Sequence, residues 1–360
     1  MKRRQDRTRT GVRLSAALAV AAAVVLAVAL ALAVAAAVAG EPQPSLPPAV
    51  GLEPRRVIEC ADFVGDPIAV RYDAGRIYLL DPMEQAIWHL TDARSDRQAI
   101  DLPSAAVTDF FFGCEGKLHA IDPLERAVYE LARGQSDWRR LDLGYRVFFG
   151  DGDRGGIVFN ADRRHADHLV AGVTCAGDTT RWGTRLMHPH PYAAVGNNLN
   201  YARLAVSPDL VVVGHIALAY VQVFRRDGPR VAEISLVGPE VAEVRRMYLA
   251  TLGVTCEGPL AVARDTLVAD LVRGAKPERF PVPVYVAALA IRTGRIYVLV
   301  NNVVQAFSPA GELLARYAVG GEHRGQRVVI HTFCFADDGR LLGLDAVHYR
   351  KLYDFGLLAP

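Results

Sequence analysis

Two segments near the middle of the chain carry side chains that could do chemistry. His165 and His168 lie three apart in DRRHADH, beside Asp162 and Asp167. Imidazole with carboxylate is a ligand set for divalent transition metals. Three apart is one face of a helix, but on a strand the two rings point to opposite faces. A charged hairpin tip is therefore the stronger expectation, and no metal or other cofactor is assigned. The second segment, His188 to Asn200, reads HPHPYAAVGNNLN. Loops on a rigid scaffold concentrate ligand contacts, so His188, His190, Asn197, Asn198 and Asn200 are candidate ligand-binding residues. The competing and stronger expectation is a solvated connection whose asparagines serve turns. The chain has no G-x-S-x-G nucleophile elbow, no phosphate-cradling glycine loop leading into a helix and no H-E-x-x-H pair, so no catalytic residue is assigned.

The elements that must position these residues repeat. The clearest unit is DAGRIYLLD, Asp73 to Asp81. It returns as CEGKLHAID (Cys114 to Asp122), RTGRIYVLVN (Arg292 to Asn301) and DDGRLLGLD (Asp337 to Asp345). Each is a polar turn closing on Gly, then a cation, then a short apolar strand ending in Asp or Asn. An apolar stretch precedes each turn and another follows, as in AIWHL ending at Leu90 and AVYEL ending at Leu131. Glycine tolerates the positive φ that tight hairpins demand, and Val, Ile, Tyr and Phe suit pleated, half-buried surfaces. A small antiparallel sheet of this kind cannot bury both faces alone, so copies must stack. Periods of about 40–50 residues with four strands each are the signature of propeller blades.

The expected fold is therefore an all-β, β-propeller domain over residues 55–356. Turns at Gly75, Gly116, Gly155, Asp209, Gly258, Gly294 and Gly339 give seven blades, or six if the turn at Gly258 is not a blade turn. The last unit lacks a fourth strand, which Arg56 to Cys60 could supply to close the ring and remove exposed edges. No amphipathic helix is expected beyond residue 40, apart from an ambiguous stretch around Val241 to Thr251.

Ahead of the repeats, residues 1–15 are basic and residues 16–40 apolar, and 41–54 are rich in proline. Ala16 to Ala39 contains Ala, Val and Leu alone, long enough as a helix to cross a hydrocarbon core of about 30 Å. Basic residues on its N-terminal side predict that the rest lies outside the cytoplasm. Retention as a single-pass signal-anchor is favoured over cleavage after Ala37-Val38-Ala39, which would leave a secreted or periplasmic protein. The proline-rich stretch reads as an extended spacer. The whole chain carries +2, and six basic residues against one acid put +5 in the first forty residues, leaving −3 for the rest. No basic stripe follows residue 40, so nucleic acid is not an expected partner. Five scattered cysteines without C-x-x-C give no disulfide framework. One or two bridges are allowed by an oxidising compartment, and spacing assigns none.

The GR-I-Y-V-x-D pattern resembles the blades of bacterial NHL-type and related six- or seven-bladed propellers, with four clear copies across residues 55–356. The Asn-His-Leu signature and the Trp-Asp pair of WD40 blades are absent. The resemblance implies that the first strand of each blade lines a central channel, where propeller lactonases and lyases carry Glu, Asn, Asp or His. In this chain those strands are mainly apolar. Arg71, Asp109, Arg203 and His331 are the polar exceptions and join the candidate ligand-binding residues. Four scattered residues suggest structural lining, so a non-catalytic propeller that binds a protein or envelope component is the expected function. A hydrolase, lactonase or lyase acting at the channel mouth is the alternative, and a small-molecule ligand is allowed by either.

Overall fold

The computed structural model describes residues 46–91, 97–142, 146–160, 168–190, 193–256, 258–276, 281–346 and 350–358. The basic segment 1–15, the apolar segment 16–40 and residues 41–45 lie outside the described residues, as do Asp162, His165 and Asp167. Among the described residues no helix is long and apolar enough to cross a membrane.

Six antiparallel sheets of the repeating kind follow one another along the chain. Their first strands are Ala69–Asp73, Asp109–Phe112, Gly150–Asp153, Ala202–Val206, Ala288–Arg292 and Ile330–Phe335. Each first strand packs beside the next, and the sixth returns to the first, so the blades close into a ring with these strands innermost. Closure comes from both chain ends: Arg56–Glu59 pairs antiparallel with Lys351–Leu357 as the outer strand of blade six. This is the strand that the sequence assigned to the vacant place. Ala49–Leu52, inside the proline-rich stretch expected to be a spacer, pairs parallel with Leu313–Val319 as a fifth strand on blade five. It covers an edge that would otherwise present unpaired backbone groups.

The repeated motif has a physical reading at both ends. In blade one Asp73 pairs with Arg76 across a two-residue turn in which Ala74 and Gly75 have φ of 49° and 80°, the double-positive turn whose twist matches antiparallel strands. At the other end the buried Asp81 accepts backbone N–H bonds from Met83 and Glu84 in its own turn, and from Gly65 and Asp66 in the connection entering the blade. Asn160 accepts from Phe148 and Phe149 in the connection entering blade three, and Asp122 from Leu124 and Glu125 in its own turn. In blade one the closing Asp thus ties its turn to the chain that enters the blade. Buried backbone donors demand such partners.

Six blades form, and the seventh favoured by the sequence does not. Residues around Gly258 lie between two helices, Pro239–Thr251 (α2) and Arg264–Gly274 (α3), inserted between blades four and five. A shorter helix, Ala193–Asn200 (α1), lies between blades three and four. The ambiguous stretch at Val241 to Thr251 is thus a helix, while Ala193–Asn200 and Arg264–Gly274 correct the expectation of no other helix beyond residue 40. In α2, Pro239 opens the first turn, Glu240 follows at the positive end of the dipole, and Val241, Val244 and Tyr248 form the buried stripe, as helical periodicity requires. In α3 Leu267 and Leu271, one turn apart, join the same core as Tyr285 and Val286. The seventh blade fails because these helices occupy the room of a blade.

The insertion is fastened by buried charge. Glu240 receives Nε and Nη2 of Arg316 in blade five, with both side chains under one-tenth exposed, and Gln305 Nε2 donates to the same carboxylate. Arg316 also donates through Nη1 to Pro47 O. One ion pair therefore joins helix, blade five and the incoming chain. A single disulfide, Cys114–Cys175, links blade two to blade three among the described residues, and Cys60, Cys256 and Cys334 are not disulfide-bonded.

Candidate functional site in the central channel

Polar residues on five of the six innermost strands gather in one layer. Asp109 opens the first strand of blade two and is buried. Its Oδ1 accepts from Arg71 Nη2 of blade one at 3.3 Å and from the N–H of Phe110, and its Oδ2 lies 3.4 Å from the N–H of Gly150 in blade three. Asp151 of blade three accepts through Oδ2 from the N–H of Val206 in blade four at 2.8 Å. Arg203 of blade four places its guanidinium 4.2 Å over the Phe149 ring. His331 of blade six sets Nδ1 3.0 Å from Asp345 O and Nε2 3.2 Å from Ile68 O at the entrance to blade one. Side chains thus stitch blades one to two, two to three, three to four and six to one. The first strand of blade five, ALAIR, adds only alanine, leucine and isoleucine ahead of Arg292.

The stitching alone would be structural, but the ionisation of the group is not ordinary. Burial raises the Asp151 carboxyl to about 6, against the lowering influence of Arg71 and of the N–H bonds from Val206 and Gly152, with Asp109 adding a smaller upward push. A carboxyl at that value is part protonated near neutral pH and can give or take a proton there. Burial also pulls the Arg203 guanidinium downward, partly offset by Asp109, with Arg71 adding to the lowering. The His331 ring is lowered, first by burial, although both neighbouring carbonyls favour its charged form. A neutral imidazole can donate to just one of those two carbonyls. Cys334, on the same strand, is raised to about 12 by burial and is an inert thiol, since only the thiolate reacts.

The cluster opens toward the face where the innermost strands end. A cavity of about 550 Å3 lies there, lined by Arg71 and Asp151 with Asp73, Glu115, Arg133, Asp153 and Arg154 around it. Arg133 pairs with Asp73 across blades one and two, and Arg226 with Asp153 across blades three and four. The Cys114–Cys175 disulfide borders this rim beside Glu115. At the opposite face, where the innermost strands begin, a cavity of about 370 Å3 reaches His331. Its walls are Val244, Met247 and Tyr248 of α2, the 281–284 segment, and Ala287, Leu299 and Ile330.

Of the residues singled out from sequence, the structure brings Arg71, Asp109, Arg203 and His331 together, where scattered lining was expected. The 188–200 segment is a different object. Asn200 holds it in place, accepting from Leu186 N–H and donating to Leu186 O and Gly196 O. Asn198 is buried and Asn197 Oδ1 is enclosed without a hydrogen-bond partner. Asn197 to Asn200 therefore end a packed helix, whose Val195 and Leu199 are in the core, and are not a solvated loop. His188 and His190 face each other with ring centres 6.2 Å apart, and the His190 N–H donates to His188 Nδ1. His168 begins the third strand of blade three. Among the described residues no three His, Cys, Asp or Glu side chains converge as a metal-binding set.

Asp151 was not singled out by sequence. Its strand reads GDGD, with no apolar alternation to mark it. The glycines are there for space: a Cβ on Gly150 would sit 2.5 Å from the Phe111 ring, and one on Gly152 2.7 Å from Phe112 O. The signal was two glycines flanking an acid just before a hairpin turn, a sign of close backbone approach.

No family model matches the sequence, and no curated protein sequence matches it. Solved structures match its shape. Virginiamycin B lyase from Staphylococcus aureus aligns at 9% identity over 84% of this chain and 99% of its own, with a TM-score of 0.50. A protein designated a candidate gluconolactonase aligns at 12% identity over 86% of this chain and 96% of its own, also at 0.50. At such identities the likeness is one of fold: the chain is a β-propeller repeat protein with six blades.

Proposed function

We propose that the protein is a propeller enzyme of the hydrolase, lactonase or lyase kind, with Asp151 as its acid–base group in the central channel. The observation that carries this reading is the half-buried Asp151 carboxyl, raised to about 6 beside Arg71 at the floor of an open cavity. Shifted carboxyls in clefts mark acid–base sites more often than chance. In the hydrolytic case ionised Asp151 takes a proton from water as the water oxygen bonds to an ester or lactone carbonyl carbon. The bond from that carbon to the ring or leaving oxygen then breaks, and Asp151 returns the proton to the departing oxygen. Arg71, fixed by Asp109, supplies positive charge beside the developing oxyanion. The scaffold itself is compatible, since it carries a lyase in the Staphylococcus aureus protein, though fold alone does not assign an activity. The binding-only role, with a protein or envelope partner, has no specific observation behind it.

The Cys114–Cys175 bridge supports a place for the domain in an oxidising compartment. With the apolar segment 16–40 ahead of it, the proposed location is the outer side of the cytoplasmic membrane.

The test is a pH profile of kcat/KM over a panel of lactones, cyclic esters and open esters. A limb near pH 6, abolished together with activity in Asp151→Asn, is expected; a loss of about a hundredfold or more is in the range of a general acid–base group. Turnover that keeps its profile in Asp151→Asn would overturn the assignment.

A further inference from the structure

Arg203 is the unusual member of the channel layer. Arg71 is spoken for, by Asp109 and by Val70 O. Arg203 makes neither a hydrogen bond nor an ion pair with the described residues, and its Nε is fully enclosed with no partner. What holds its position is the Phe149 face, 4.2 Å away, which supports the flat side of the guanidinium and leaves its edge for in-plane acceptors. A buried polar group without a partner is costly, and a buried charge more so. No carboxylate contacts it. Asp109 is engaged with Arg71, the His331 ring is held toward its neutral form, and Asp151, raised to about 6, loses its charge as pH falls through that value. The layer is therefore close to neutral at pH 7 and gains positive charge below it, with one guanidinium edge unused.

We infer that Arg203 anchors a carboxylate-bearing small molecule in the channel, its planar fork taking the two carboxylate oxygens. Bidentate pairing is the arrangement for which guanidinium geometry is suited and ammonium is not. The inference rests on the reading of the channel as the ligand site and names the ligand's chemical class. An incoming negative charge also acts on Asp151, which faces Arg71 and Asp109 across the layer with Arg203 and His331 beyond them. It favours the protonated carboxyl, so carboxylate binding takes up protons in the range where Asp151 titrates.

The experiment is calorimetric titration of the full chain in detergent with sodium malonate and sodium acetate, ionic strength held with sodium chloride. The expected result is saturable binding to the wild type. It should weaken by roughly tenfold to a hundredfold in both Arg203→Gln and Arg203→Lys, the range of one charge-assisted pair. Arg203→Lys keeps the charge and loses the fork, so it decides the matter should Arg203→Gln fail to fold. Repeating the titration at pH 6.5 in two buffers of different ionisation enthalpy should show proton uptake in the wild type and none in Asp151→Asn. Absence of saturable binding by either anion, or binding unchanged in Arg203→Lys, would overturn the inference. The two readings fail separately: carboxylate binding without Asp151-dependent turnover removes the enzyme, and turnover confined to uncharged substrates removes the anchor.

Discussion

The two faces of the ring are built from the same strands and differ in almost every other respect. Where the innermost strands end, the cavity is rimmed by Asp73, Glu115, Arg133, Asp153 and Arg154 over Arg71 and Asp151. Where they begin, α2 and the 281–284 segment place Val244, Met247, Tyr248 and Val284 over the way to His331. The charged rim consists of hairpin turns, which a blade must have and which solvent can pair. The apolar face is made by an insertion whose helices join the core of blades four and five and is pinned by Glu240 and Arg316. Groups whose ionisation burial alters sit in the layer between. The difference teaches that stability and chemistry are separated in this ring: the helical face carries packing, and the hairpin face carries access.

That separation can be broken by mutation. Glu240→Ala leaves Arg316 buried without its carboxylate and should cost about 3–5 kcal/mol, the range for one partner of a buried pair. Glu115→Ala at the opposite rim should stay within about 0.5 kcal/mol, as exposed sites do. Urea midpoints for the two variants measure the contrast, and equal losses would erase it. Next in size, Cys114→Ser with Cys175→Ser opens a bridge between residues 61 apart in sequence and should cost about 2–4 kcal/mol. Reductant should lower the wild-type midpoint to that of the double variant and leave the variant unmoved.

Two titrations sharpen the comparison by their opposite signs. Asp151 is raised in the folded state to about 6, so folding is favoured by its protonated form. Its contribution is fully present below pH 4 and is lost as pH rises through 6. Wild type should therefore lose about 2–3 kcal/mol relative to Asp151→Asn over that interval, at 1.36 kcal/mol for each pKa unit. His215, buried in blade four with Nδ1 on Leu199 O, is lowered to about 4, first by burial. Its contribution is present above pH 6.5 and lost as pH falls through 4, which His215→Gln should relieve in an acid unfolding series. A smaller loss than these belongs to Gly75→Ala in the blade-one hairpin. A Cβ there meets nothing within 4 Å, but φ is 80°. The cost should be about 1 kcal/mol from backbone strain alone, read from the thermal midpoint.

What the sequence disclosed follows from what repeats. The Gly turn, the strand after it and the closing Asp or Asn recur because every blade needs them, and ring closure through Arg56–Glu59 follows from a missing strand. The α2–α3 insertion broke the count because Val241, Val244 and Tyr248 have helical spacing inside a stretch otherwise read by blade period. Arg71, Asp109, Arg203 and His331 were visible as polar residues on apolar strands. Their meeting was not, because it depends on which strands face across the channel, a relation between blades that no single repeat encodes. Asp151 was hidden by its glycines, whose purpose is the approach of Phe111 and Phe112 from the neighbouring blade.

The central claim, that burial in the channel poises Asp151 for acid–base chemistry, is tested most directly by carbon-detected NMR titration of aspartate carboxyls in the wild type and Asp151→Asn. One carboxyl with a midpoint near pH 6, present in the wild type and missing from the variant, is the predicted result. A set of aspartates all titrating below pH 5, unchanged between the two proteins, would contradict it.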